Sequence, residues 1–249
     1  MDVPKVVEGY SEKEREKLRK NLKRYEPIEF EVLSNYFETD KAKEIMSQNS
    51  IEYENIIPTI PYIGGKENGM TQYLLLPSPL ISLVKILKKE GLKTRTIGKI
   101  MFECAEKLYE NLPRPFKWFL RWKLCKKSNI KDNKEGAEWS QKRIYPMDWV
   151  YEFIEGEGED FEYGIDMKEC GLVKYWKKLG LEEFVPYLCL TDWALWRAIK
   201  VKTHRSQTLA NGGEVCDYRF YKGKFDDCPK GWPPEYLLEW TGKFEKEGD

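Results

Sequence analysis

The stretch Asp148–Cys170, DWVYEFIEGEGEDFEYGIDMKEC, decides the fold because the hydrophobic period changes inside it. Trp149, Tyr151 and Phe153 alternate with polar neighbours, and after a Gly/Glu-rich turn Phe161, Tyr163, Ile165 and Met167 alternate again. A period of two places each set on one face of an extended chain, and two such runs about a glycine turn predict an antiparallel hairpin. Helical spacing returns in GLVKYWKKLG from Gly171 and in EEFVPYLCLTDWALWRAI from Glu182. Strand patterns then flank two glycines between Lys200 and Gly223. The order strand, strand, helix, helix, strand, strand predicts a small antiparallel sheet backed by helices.

Upstream the chain reads as helix. Ser11 with Glu14 three residues on is a capping box opening a highly charged, solvated helix over residues 11–25. Phe30, Leu33, Phe37 and Ile45 continue at near-helical spacing. The Pro- and Gly-dense run from Ile56 to Pro79 cannot hold a regular helix and is read as an ordered loop or short strand. Its Tyr, Gly and Asn content suits the wall of a pocket, which makes Tyr62 a candidate substrate contact, although a plain connection is the simpler reading. Two apolar helices follow, Leu80–Glu90 and Thr94–Asn111, the second with Cys104 on its buried face. RPFKWFLRWKLCKK, from Arg114, has the look of a membrane-surface or partner helix in isolation and reads more simply as a packed amphipathic helix. The polar run from Lys127 to Arg143 is expected to be a mobile loop, and the last residues, from Gly242, to fray. The fold class is therefore α+β: a mainly helical N-terminal half, and a C-terminal antiparallel sheet of two hairpins packed with helices. One domain is expected, with residues 1–50 as a helical extension and 222–249 as a tail.

Composition narrows the function. With 42 basic and 42 acidic residues the formal net charge is zero, so no overall field draws the chain to nucleic acid or to a membrane. No apolar leader or membrane-length run is present, which makes a cytoplasmic setting the expectation. Nine Trp and fifteen Tyr supply flat walls for a small-molecule pocket. The expected partner is a small-molecule substrate, with homo-oligomerisation left open. Six scattered cysteines without a CxxC motif argue for reduced thiols, and no cofactor is expected. A metal held by Cys170, Cys189 and Cys216 stays open as an alternative. The single histidine, His204, excludes a Ser-His-Asp triad or a two-histidine metal site.

Reactive residues concentrate in Arg205–Phe220, RSQTLANGGEVCDYRF. A two-residue turn at the glycines aligns Arg205, Gln207 and Leu209 with Cys216, Tyr218 and Phe220 on the core side. Arg205 and Gln207 then point inward, where an unpaired charge is costly unless it meets a carboxylate or a ligand anion. His204, Ser206, Thr208, Asp217 and Arg219 fall on the outer face, where Asp217 and Arg219 can pair in solvent. On the preceding helix Asp192, three residues after Cys189 and beside Trp193 and Trp196, reads equally as a general acid/base or as a structural partner for Arg205. Cys170 stands where a strand gives way to a helix, a place that lowers a thiol pKa, although buried cysteines are commonly mere packing.

Taken in order, Pro61-Tyr-Ile-Gly-Gly65, Asp148-Trp-Val-Tyr-Glu-Phe, Tyr163-Gly-Ile-Asp with Glu169-Cys170, Pro186-Tyr-Leu-Cys189 with Asp192, and Arg205-Ser-Gln-Thr-Leu-Ala with Gly212-Gly213 and Cys216-Asp217-Tyr218-Arg219 resemble the L-2-amino-thiazoline-4-carboxylic acid hydrolase family, over residues 57–221. Ser206 and Tyr218 depart from the family pattern of Thr and Phe. The resemblance implies opening of a C–N/C–S heterocycle: water adds to C2 of the thiazoline and a carbamoyl-cysteine is released. Such chemistry asks for an activated water or thiolate, a proton donor for the leaving atom and a cation for the carboxylate. The candidates are Cys170 or Cys216 as nucleophile, Asp192 as acid/base with Asp217 as a second, and Arg205 on the carboxylate. Gln207, Tyr62 and Cys189 are further candidate contacts. The terminal hairpin also resembles the small-molecule sensing domain shared with vinyl-reductase-type proteins, which encloses an apolar ligand.

Overall fold

The structure, a computed structural model, describes residues 9–245, without the side chains of Cys125 and Lys127. These residues divide into two compact units, one running to Gly91 with Tyr145–Met147, the other holding Leu92–Ile144 and the chain from Asp148 onward.

The first unit is helical. Its α1 (Glu12–Leu33) opens with the expected capping box, Ser11 Oγ donating to Glu14 at 2.7 Å. It runs past the expected end and through Pro27, and Leu18, Leu22 and Tyr25 are buried, so the helix is not merely solvated. After it α2 (Thr39–Ile56) takes up the apolar spacing and buries Ala42, Ile45 and Tyr53. The Pro/Gly segment forms short 3-10 turns and a brief α3 (Thr71–Leu75), not a strand. α4 (Ser78–Lys89) ends close to its expected boundary and is buried over most of its length.

In the second unit α5 (Thr94–Glu110) packs along a later helix, α9 (Val185–Ile199), and Gly98 permits a close approach: a Cβ there would overlap the Tyr187 ring. Next come α6 (Arg114–Cys125) and α7 (Lys127–Ser140). The segment expected to be a mobile loop is thus a helix. Lys131 and Glu135 pair one turn apart, and Gly136 lets α7 lie against Tyr151, whose hydroxyl occupies the space a Cβ would need. Ser140 Oγ and Gln141 then reach the backbone of Tyr151, which occupies the free edge of the sheet. Polar composition hid this helix because tertiary contacts, not its own apolar face, hold it.

The sheet contains β1 (Val150–Glu155), β2 (Tyr163–Glu169), β3 (Thr203–His204) and β4 (Cys216–Phe220). All neighbours are antiparallel, in the order β1-β2-β4-β3. The α+β class and the first hairpin are as expected. Tyr151 opposes Met167 and Phe153 opposes Ile165 on one face, which continues through Cys216, Tyr218 and Phe220. Tyr163 stacks between Phe153 and Phe220, at 5.9 and 4.8 Å between ring centroids. Between strands lie α8 (Gly171–Lys178) and α9 (Val185–Ile199), and Trp196 of α9 stands edge-on to Tyr218 and Phe220.

The second hairpin is not a two-residue turn. Only Thr203 and His204 pair, with Phe220 and Arg219, and residues 205–215 form a wide loop containing a 3-10 turn at Leu209–Asn211. The carboxylate of Asp217 holds its base, accepting from the backbone of Ser206 (2.8 Å) and Gln207 (2.9 Å) and from the Ser206 hydroxyl. The loop replaces a ladder because the N–H groups of Ser206, Gln207, Leu209, Asn211 and Glu214 are met by loop side chains and by Asp217 and Cys216. The segment beyond residue 222 is likewise not a loose tail: Glu239 and Leu237 are buried, and Glu245 accepts from Arg95 and Tyr187. The expected fraying of residues 246–249 lies outside the described residues.

Candidate functional site

Arg205 is the centre. Its register next to His204 gives it the parity of Tyr218, so it does turn inward, and its side chain is fully enclosed. All five of its N–H bonds are used. Nε and Nη2 form a fork with Glu239, the Nη2 contact at 2.7 Å. Nη1 reaches Asp192 at 2.7 Å and the Tyr218 hydroxyl at 3.0 Å, and Nη2 also reaches the carbonyl of Cys189 at 2.8 Å. Trp193, Trp196 and Tyr218 place their rings 5.0–5.7 Å from the guanidinium carbon. Burial alone would lower the Arg205 pKa, but Glu239, Tyr218 and Asp192 hold it well above its usual value. No N–H remains for a substrate carboxylate.

Glu239 is not among the candidates that the sequence offers. It is 1% exposed and accepts from the Trp193 indole at 3.0 Å as well as from Arg205. The signal for it is indirect: an inward arginine requires a buried carboxylate, and Leu237-Leu-Glu-Trp240 offers one inside an apolar run.

Asp192 differs from Glu239 in being reachable. Forty per cent of its side chain is open, yet surrounding protein strips enough water that its carboxyl is raised above the usual range, against the pull of Arg205 and a hydrogen bond from Tyr218. Such a carboxyl can meet a small molecule from solvent while its own charge stays poorly hydrated. Tyr218 Oη accepts from Arg205 at 3.0 Å and also favours the ionised form of Asp192, so this hydroxyl links the two electrostatically.

Three thiols stand within electrostatic reach of this group. Cys170 is the N-cap residue of α8, without a side-chain cap hydrogen bond, and the nearby N–H donors of Val173, Leu172 and Trp149 favour its thiolate only weakly. The place is as expected but the direction of the shift is opposite: burial raises its pKa and outweighs those three donors. Burial lifts Cys189 well above the usual thiol value, with the Arg205 charge opposing. Cys216 is 4% exposed, receives the Leu209 N–H at 3.2 Å, and is pushed up to about 12 by burial. Among the described residues no three His, Cys, Asp or Glu side chains are arranged to hold a metal ion.

The outer face departs from expectation. Arg219 pairs with Asp166 at 2.8 Å instead of with Asp217. Asp166 and Asp217 face each other across β2 and β4, and the arginine and the loop donors relieve that opposition separately. Gln207 Oε1 closes the loop by accepting from Glu214 N at 3.1 Å. Tyr62 belongs to the first unit, between the rings of Tyr10 and Tyr145.

Residues 80–220, more than half of the chain, match the family described as L-2-amino-thiazoline-4-carboxylic acid hydrolase. The chain belongs to this family. Within the hydrolase-family match fall Cys170, Cys189, Asp192, Arg205, Gln207, Cys216, Asp217 and Tyr218, while Tyr62 and Glu239 lie outside it. No curated protein and no solved structure matches the chain.

Proposed function

We propose that this chain is a hydrolase that opens a small cyclic amidine of the 2-aminothiazoline-4-carboxylate type, with Asp192 as the acid/base. The observation that carries the reading is Asp192 itself: a reachable carboxyl held above its usual pKa, locked in orientation by Arg205 and Tyr218, beside reduced thiols. Its ionised form suits the positively charged amidine, and its raised pKa suits proton return to a leaving atom.

Cys170 is the nucleophile in this scheme. It is more accessible than Cys216, and the nearby backbone of Val173 and Leu172 and the Trp149 side chain favour its thiolate once a cationic substrate is bound. The Cys170 sulfur adds to C2 of the ring and its proton passes to Asp192. As the C2–S bond breaks, Asp192 returns that proton to the ring sulfur. Water then gives a proton to Asp192 and bonds to C2, and the bond from C2 to the Cys170 sulfur breaks. Asp192 passes that proton to the departing sulfur, the remaining excess proton leaves to solvent, and the released product is the carbamoyl-cysteine with a free thiol. Arg205 positions Asp192 in place of gripping the substrate, because its donors are already engaged. Asp217 and Gln207 hold the loop that carries Arg205, and Cys189 and Cys216 complete the wall.

The test is incubation of the purified chain with 2-aminothiazoline-4-carboxylate, following thiol release with a disulfide reagent. Cys170→Ala and Asp192→Asn are each expected to lower the rate about 10²-fold or more. Full activity in both variants would sink the assignment, and ligand binding without turnover would favour a sensor.

A further inference from the structure

We propose that α6 is an amphipathic docking helix by which this chain associates with anionic lipid surfaces. It packs on α7 and α9, with Lys117, Leu120, Arg121 and Leu124 half-buried. The opposite side is an aromatic face left uncovered. Phe116, Phe119 and Trp122 recur every three residues and Trp118 stands one turn before Trp122, so the four share one broad arc. Trp118 is 59% exposed and the other three 43–45%. The rings touch in series, Phe116 to Phe119 at 6.3 Å and Phe119 to Trp122 at 5.9 Å between centroids. Such a contiguous apolar strip on one solvent-facing helix marks a contact surface.

The charge around the strip selects the occupant. From Asn111 to Lys131 the sequence has seven lysines and arginines and no acid, so the neutral total for the chain conceals a segregated basic segment. Arg114, Lys123 and Lys126 are exposed about the aromatic arc, Lys126 lying over the Trp122 ring at 4.8 Å. Indole and phenyl rings between long basic side chains fit the boundary of an acidic bilayer, where rings enter the acyl edge and ammonium groups meet phosphates. A second copy is disfavoured, since apposing two such helices brings like charges together. Among the described residues no helix is long and apolar enough to cross a membrane, so the contact is a surface one.

The experiment is co-sedimentation of the full chain with vesicles of phosphatidylcholine alone or with about one-third phosphatidylglycerol. The expected result is binding at least about tenfold stronger to the anionic vesicles, weakened by salt. Replacing both Trp118 and Trp122 by Ser, and separately Lys123 and Lys126 by Glu, should each remove most of it. Because these side chains are exposed, unaltered urea unfolding should accompany both losses. The proposal is overturned if the wild type stays in the supernatant with anionic vesicles, or if the tryptophan variant binds as well as the wild type. A dimer in gel filtration that the tryptophan variant dissolves would assign the face to a second copy. Preference for polyglutamate over the vesicles would assign it to an acidic protein.

Discussion

Replacing Glu239 by Gln tests the centre of the second unit. The Arg205–Glu239 pair is fully enclosed on both sides, and the substitution keeps the size of the side chain while removing its charge. The amide that results can still accept from the Trp193 indole, but one of its two heads now presents donors to the Arg205 fork. Removing one partner of a buried pair costs about 3–5 kcal/mol, because the other charge stays dehydrated. Asp192 remains to Arg205 on Nη1, which keeps the expected loss near the lower figure. For a chain of this length that corresponds to a fall in Tm of about 6–12 °C. Urea unfolding of wild type, E239Q, R205M and the double variant would give the coupling energy directly. The double variant should lose much less than the two single losses added together. The substitution also has a chemical readout. The Glu239 charge helps to raise the Asp192 pKa, so E239Q should move the acid limb of the rate profile to lower pH in residual activity. A loss below about 1 kcal/mol with additive singles would refute the claim that this pair organises the site.

Two further outcomes concern stability. Burial raises the Glu29 carboxyl from 4.5 to about 8, with Glu26 adding to the rise and the Asn49 amide at 3.0 Å opposing it. The folded state therefore holds a proton that the unfolded chain has lost: the contribution is full below about pH 4.5 and disappears as pH rises through about 8. The span is about 4–5 kcal/mol at most, so Glu29→Gln should match wild type in urea unfolding at pH 5 and exceed it at pH 9; parallel profiles would count against a neutral Glu29. Gly98→Ala should destabilise by about 1–3 kcal/mol despite gaining helix propensity, because Tyr187 is also tied to Glu245 and cannot swing away from the new Cβ; a raised Tm would show that α5 and α9 separate freely.

The arrangement about Arg205 changes the division of labour that the residue types suggest. An inward arginine beside a reachable carboxyl invites the role of anion receptor, yet a guanidinium with every donor engaged is a fixture. Its use is to hold Asp192 and Tyr218 at set positions while Glu239 supplies the neutralising charge behind it. Separating the enclosed carboxylate from the reachable one leaves a single accessible acid at the site, with Cys170 nearby on the cap of α8.

The sequence by itself determined what depends on local period and parity. Alternation in Asp148–Cys170 set the first hairpin and the shared face of Tyr151, Phe153, Ile165 and Met167, and the same parity turned Arg205 inward even though the connection beyond it is a wide loop and not a two-residue turn. Ser11 with Glu14, and the glycine and prolines near Gly91 and Pro113, set helix ends because caps and breakers act within a turn. Only tertiary structure decided the rest. Glu239, 34 residues from Arg205, joins it through a buried contact that no periodicity encodes. The thiol of Cys170 is raised where a helix terminus alone would lower it, since dehydration depends on everything packed around the sulfur. The α7 segment is a helix because β1 is there to receive it, and the aromatic face of α6 is exposed because none of the described residues covers it. Short-range rules name the elements; burial, which is a property of the assembled chain, assigns each charge its partner and each thiol its reactivity.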